Sequence, residues 1–192
     1  MLLSINKMYP PEMGGVEVVA KQLAELGLEY YGKSEVITFN HGEGTVDEVV
    51  NGISVTRLRS LRLGRSVRLS FGYKKRLLER SSEASLIIYH FPSFTPELFL
   101  PYFKHIKIPQ VCLYHANITG RGLLGKLYNA LVVNRFLKQM DIVVATSPNI
   151  TQSSPILKRL KDVEVIPLGV DTDHFRYQED NMRGQLVEAF GR

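Results

Sequence analysis

The stretch Ile166-Pro167-Leu168-Gly169-Val170-Asp171-Thr172-Asp173-His174-Phe175 decides the fold. An apolar run leads into it, and Pro-x-Gly-x-Asp then stops the strand and turns the chain away. Proline cannot donate to a ladder and glycine permits a sharp turn. Such an ending suits the last strand of a sheet that hands the chain on to another body. Upstream, short runs rich in valine and isoleucine recur near 2–6, 35–39, 53–58, 85–90, 109–115, 141–146 and 163–166. Between them lie longer segments with helical spacing, and this alternation marks βαβ units. The expected fold is α/β: a Rossmann-like, doubly wound, mostly parallel seven-stranded sheet with helices on both faces.

The clearest helix follows the first strand. Val16, Val19, Leu23, Leu26 and Tyr30 share one face, Glu17, Lys21 and Glu25 step by four along another, and Gly32 is the natural stop. Residues 122–139 read as another long helix. Leu86-Ile87-Ile88-Tyr89 and Ile142-Val143-Val144-Ala145 lack polar alternation, as central strands covered on both faces should. With 192 residues, 44% of them hydrophobic, the chain can bury one sizeable core, so residues 1–175 read as one domain. The tail 176–192 is polar and weakly helical, a linker or the opening of a further domain. The lone Cys112, inside Val111-Cys112-Leu113, excludes a disulfide framework and reads as a small buried hydrophobe in a reducing, cytoplasmic protein. Met1-Leu2-Leu3-Ser4-Ile5 reads as an opening strand rather than a leader, and no stretch is long enough to span a bilayer.

In open parallel sheets ligands gather where the strands end, so the residues just past each strand carry the functional reading. The first such loop is Met8-Tyr9-Pro10-Pro11-Glu12-Met13-Gly14-Gly15-Val16. Two prolines stiffen it, and Gly14 and Gly15 bring bare backbone to the start of a helix, where free N–H groups and the dipole favour a phosphate. It is neither G-x-G-x-x-G nor a Walker loop, and Gly122-Leu123-Leu124-Gly125-Lys126 is too short for one, with Leu127 in the hydroxyl position. His90 and His115 fall at two strand ends, and both are expected to face one crevice, where neutral imidazoles donate to and accept from sugar hydroxyls. His41, His90, His105, His115 and His174 show no metal-ligand spacing. No carboxylate pair or Ser-His-Asp arrangement suits hydrolysis. Net charge is +5, and from 57 to 80 nine lysines and arginines face one acid, Glu79, with leucine and aromatic residues between them. A basic amphipathic segment of this kind fits an anionic bilayer or a phosphorylated acceptor, or else a solvated loop and a helix whose apolar face is core. Nucleic acid is a weaker partner, since no reader fold accompanies the charge.

In order and spacing, these stations resemble glycosyltransferase family 4, among the retaining GT-B glycosyltransferases, over residues 1–175. The matching pieces are Tyr9-Pro10-Pro11 through Gly14-Gly15-Val16-Glu17, Tyr89-His90-Phe91-Pro92-Ser93, Tyr114-His115, Leu127-Tyr128, Ala145-Thr146-Ser147-Pro148-Asn149 with Ser153-Ser154, and Ile166-Pro167-Leu168-Gly169-Val170-Asp171. The resemblance implies the N-terminal, acceptor-side lobe of an enzyme that moves a hexose from a nucleotide-sugar to a lipid-linked or envelope polysaccharide acceptor. It implies retention of configuration and no cofactor or essential metal. Gly14 and Gly15 would border the donor diphosphate and His115 would contact the transferred sugar. Glu12, His90, Asn117 and Thr119 would face the acceptor, and Arg68, Lys74, Lys75 and Arg76 an acceptor phosphate or the inner face of the plasma membrane. Ala116-Asn117 departs from the Ser-Asp often seen in relatives, which leaves the acceptor open. The donor-binding C-terminal domain is missing from the sequence, so the chain alone is expected to be inactive. The competing reading is a non-catalytic module that binds a glycan or phospholipid head group in the same crevice.

Overall fold

The structure, a computed structural model, describes residues 1–172 except 41, 43, 64–66, 103–105, 119–121 and 170–171. Thr119 and the proposed linker 176–192 therefore lie outside the described residues, as do His41, His105 and His174. The strands are β1 (Leu2–Ile5), β2 (Ser34–Asn40), β3 (Val46–Val50), β4 (Ile53–Arg59), β5 (Leu61–Leu63), β6 (Val67–Leu69), β7 (Leu86–Phe91), β8 (Gln110–Tyr114), β9 (Ile142–Ala145) and β10 (Val163–Val165). The helices are α1 (Gly15–Tyr31), α2 (Tyr73–Ser81), α3 (Thr95–Phe99), α4 (Gly122–Tyr128), α5 (Asn134–Leu137) and α6 (Pro148–Ser153). A π-helical turn, Asn129–Val133, joins α4 to α5 without a break.

All seven expected strands form, and they pair in parallel in the order β10-β9-β8-β7-β1-β2-β4. An eighth strand, β3, adds antiparallel to β4 at the edge, so the sheet has eight strands rather than seven. A tight hairpin at Asn51 and Gly52 makes this possible, since both residues have positive φ, 51° and 79°. The basic segment is not one amphipathic element: β5 and β6 form a separate two-stranded hairpin ahead of α2.

Side chains of one parity along the strands meet one layer of helices, and those of the other parity meet another. Leu3, Ile37 and Ile87 pack with Tyr73 and Leu77 of α2 and with Phe136 and Leu137 of α5. On the opposite face Ala24 of α1 packs with Val36 and Val55. Cys112 is fully buried in the larger core, as its apolar neighbours led us to expect. From β1 the chain winds outward through α1 to β2 and β4; it then crosses back through α2 to β7 and winds the other way. Right-handed crossovers put α1 on one face and the later helices on the other. At the point where the winding reverses, between β1 and β7, neither connection covers the strand ends.

Gly32 ends α1 in the left-handed conformation, with φ 67°. Gly27 serves a different need: a Cβ there would lie 2.8 Å from Cβ of Leu2, which is buried at the start of β1. The helix can approach the central strand this closely only without that atom. Gly27→Ala should therefore cost about 1–3 kcal/mol through overpacking, more than the better helix propensity of alanine returns. Urea unfolding should show the lowered midpoint with an unchanged slope.

Candidate active site

The site is built at the reversal of winding. Ile5 of β1 is in register with Tyr89 of β7, and His90 is in register with Leu113 of β8. Asn6 and His90 are thus the next residues on neighbouring strands, and His115 comes one residue past β8. Its backbone N–H donates to the carbonyl of Phe91 at 3.0 Å. His90 Nδ1 and His115 Nε2 lie 3.1 Å apart, within hydrogen-bonding distance, with ring planes 3° from parallel. The two imidazoles that were expected to face one crevice meet directly and bond to each other.

Their protonation follows from burial. His90 is 1% exposed; burial first, and then the neighbouring His115, push its pKa down to about 3. Burial alone brings His115 down to about 4. Near pH 7 both rings are neutral, so a single proton lies between Nδ1 of His90 and Nε2 of His115. Nε2 of His90 is buried without a hydrogen-bond partner among the described residues. An unfilled acceptor costs less there than an orphaned N–H. The favoured arrangement has His90 donating through Nδ1–H, so His115 carries its own proton on Nδ1. With Nε2 engaged, His115 is left with an N–H to offer a ligand.

Gly14 and Gly15 open α1 beside these strands. At Gly15 an added Cβ would meet nothing within 4 Å, so the backbone there is open to a ligand. At Gly14 it would lie 2.6 Å from Oε2 of Glu17, a buried acid in the first turn of α1. Glu17 escaped the sequence reading because an acid in a first helical turn is commonplace. Its carboxylate folds back over Gly14 and already occupies part of the positive end of the helix. The loop before it is fixed by Arg57 of β4, whose guanidinium donates to the carbonyls of Tyr9 and Pro10.

A second group of polar residues surrounds the β5–β6 hairpin. Arg68 is 6% exposed, and its Nε and Nη1 have no partner among the described residues. Burial lowers its pKa, with Arg62 adding to the effect and Glu12 opposing it, so both side chains lie near it. The carbonyl of Arg68 accepts from Thr95 Oγ1. Phe94 takes a strained φ of 77° at the corner and stacks on Tyr128. Glu97 pins that corner by accepting from the backbone N–H of Ser93 at 2.6 Å. It is fully buried, its Oε2 lacks a partner among the described residues, and burial pushes its pKa up to about 7. Sequence reasoning missed Glu97 because nothing local marks a helical acid as buried.

The remaining residues separate. Asn117 accepts from Tyr114 Oη at 3.0 Å and donates to Ser153 Oγ at 3.0 Å, beside a cavity of about 750 Å³ between α4 and α6. Arg76 makes a two-pronged contact with Asp47, Lys75 lies 3.9 Å from Glu79, and Glu12 is exposed. Among the described residues no cluster of histidine, cysteine and acids has a metal-binding arrangement.

The sequence model of Glycosyltransferase Family 4 matches residues 13–174. The chain belongs to glycosyltransferase family 4. The D-rhamnosyltransferase WbpZ of Pseudomonas aeruginosa is 33% identical over 178 residues, which is 91% of this chain and 46% of that protein. The O-antigen chain mannosyltransferase C of Escherichia coli is 32% identical over 165 residues, 85% of this chain and 44% of that one. The family 4 chain thus spans about half the length of the curated relatives it matches. Among solved structures, a sucrose-phosphate synthase from Thermosynechococcus elongatus superposes with a TM-score of 0.67 at 16% identity, covering 96% of this chain and 52% of that one. A UDP-forming alpha,alpha-trehalose-phosphate synthase from Burkholderia xenovorans, in complex with glucose-6-phosphate, gives 0.65 at 11%, covering 91% and 51%. At these identities the two structures establish the fold alone, the N-terminal lobe of GT-B glycosyltransferases.

The buried groups set how stability depends on pH. The raised pKa of Glu97 contributes stability that is fully present below its usual 4.5 and is lost as pH rises through about 7. The lowered values of His90 and His115 contribute stability present above 6.5 and lost as pH falls through about 4 and then about 3. Glu97→Gln should therefore gain about 3 kcal/mol on the wild type between pH 5 and pH 8. His90→Gln should flatten the acid limb. Urea unfolding from pH 3 to pH 8 measures both.

Proposed function

We propose that this family 4 domain is the acceptor-side lobe of a retaining hexosyltransferase. The enzyme takes a hexose from a nucleotide-sugar and places it on a hydroxyl of a lipid-linked or envelope polysaccharide acceptor, on the cytoplasmic side of the membrane. The bond between the anomeric carbon and the diphosphate oxygen breaks, and a bond to the acceptor oxygen forms. The acceptor proton leaves with the diphosphate, and no essential metal takes part. The rhamnosyl and mannosyl transfers named for the two relatives support a hexose-class sugar.

The carrying observation is the His90–His115 pair. A neutral imidazole presenting Nδ1–H suits a sugar hydroxyl, and it brings no charge that would hold the diphosphate after transfer. The open backbone at Gly15 suits the diphosphate, whose approach Glu17 confines to that side of the helix end by repulsion. Arg68 has buried N–H groups to spare for an anionic acceptor. Stabilising the leaving diphosphate requires donors on both sides of a closed cleft, so the chain without its second lobe should transfer no sugar.

His115→Ala in the two-lobed enzyme should lower kcat by roughly 10²–10³-fold, the scale for losing one positioned donor. The melting temperature should stay within a few degrees. Equal loss of turnover and folding would make the residue structural and remove the argument for transfer at this crevice.

A further inference from the structure

The sequence reading concentrated positive charge at 57–80, but the fold neutralises much of that segment. Arg57 pairs with Glu48, Arg76 with Asp47 and Arg80 with buried Glu35, all partners from β2 and β3. A second stretch shows no such pairs among the described residues. Between Glu97 and Asp162 the sequence holds one acid, Asp141, against nine lysines and arginines. Asp141 is itself engaged, accepting from the backbone N–H of Gln110 at 2.7 Å.

In the middle of this stretch lies the continuous helix formed by α4, the π-helical turn and α5. Its inner side is buried through Gly125, Val133, Phe136 and Leu137. Its outer side should then be polar, as on an ordinary surface helix. Instead Leu123, Leu124, Leu127 and Leu131 are 82%, 80%, 52% and 49% exposed. Leu123, Leu127 and Leu131 repeat every four residues and so form one ridge. Lys126 and Arg135 on the same helix, and Lys138 just past its end, are exposed and pair with no carboxylate among the described residues.

We propose that this helix is a membrane-contacting surface, lying on an anionic bilayer with its leucine ridge among the acyl chains and its cations against the head groups. An exposed apolar ridge flanked by unpaired cations is what such a surface requires. A second copy of the chain fits less well. Two ridges packed together would bring Lys126 and Arg135 of each against like charges, with no acid on the helix to separate them. Nor does the missing lobe account for the whole ridge. A helix joining two parallel strands runs back from the rim where the strands end, so Leu131 lies about 12 Å farther from that rim than Leu123.

The inference stands apart from sugar transfer, and its test reads lipid binding alone. The purified chain is sedimented with vesicles of phosphatidylglycerol and phosphatidylethanolamine in equal parts, and separately with vesicles of phosphatidylcholine. It should pellet with the anionic vesicles and not with the neutral ones, and added salt should weaken the binding. The double variant Leu123→Ser, Leu127→Ser should lose roughly tenfold or more in partitioning with an unchanged melting temperature, because both positions are exposed. Lys126→Ser with Arg135→Ser should lose binding to the anionic vesicles, whereas Lys74→Ser with Lys75→Ser should keep it. The proposal is overturned if the leucine variant binds like the wild type, or if the wild type binds neither vesicle. A wild-type dimer in sedimentation velocity that the leucine variant splits would equally overturn it and assign the ridge to self-association.

Discussion

Everything at this site depends on the reversal of winding between β1 and β7. In a parallel sheet each strand end must be followed by a connection, and that connection normally covers it. Where successive connections leave in opposite directions, two neighbouring strand ends stay uncovered. Asn6 and His90 occupy those ends, His115 follows the next strand, β8, and α1 begins beside them. The large core beneath holds the strands in register through Leu3, Ile87 and Cys112, so the imidazoles meet at 3.1 Å without a loop having to place them. The hydrogen bond between the rings is a product of register, and register is a product of core packing.

Much of this was legible in the sequence, and the exceptions share a cause. Ile87-Ile88 and Val143-Val144 announce buried strands because they admit no polar face, and the two histidines are recognisable as strand-end residues. That they touch was not legible, since it requires pairing His90 with Leu113 across the sheet. The edge strand β3 did leave a signal in Asn51-Gly52, a strong hairpin marker. It was hidden because the adjacent acids Asp47 and Glu48 interrupt the apolar pattern of Val46-Asp47-Glu48-Val49-Val50. Glu17 and Glu97 both sit in first helical turns, where acids are ordinary, and only tertiary packing makes them buried.

Charge was the least transparent property. Counted along the chain, 57–80 is the most basic segment, yet its cations meet acids that precede them by many residues and reach them through β2 and β3. A linear count measures composition, while the field outside the protein depends on what remains unpaired after folding. The stretch from 98 to 161 is less dense but almost free of acids, and its exposed helix combines that surplus with leucines that core packing does not use.

Several of the buried polar groups without a partner among the described residues fall together, although Ser4, Ser34 and Thr38 lie elsewhere in the sheet. Asn6 Nδ2, Arg68 Nε and Nη1, His90 Nε2, Ser93 Oγ and Glu97 Oε2 belong to residues at the ends of β1 and β7, in the corner after β7, or in the hairpin bonded to that corner. Each such group costs about 1–3 kcal/mol relative to a satisfied one. A rim optimised only for stability would replace these side chains with apolar ones. The rim gathers donors and acceptors of both kinds, among them a guanidinium and a carboxyl whose pKa lies near neutrality. A ligand rich in hydroxyls and carrying an anionic group could engage both kinds, whereas an apolar ligand or a simple anion would leave half of them unmet. The groups that destabilise this rim are therefore the ones that the proposed sugar-handling site would use.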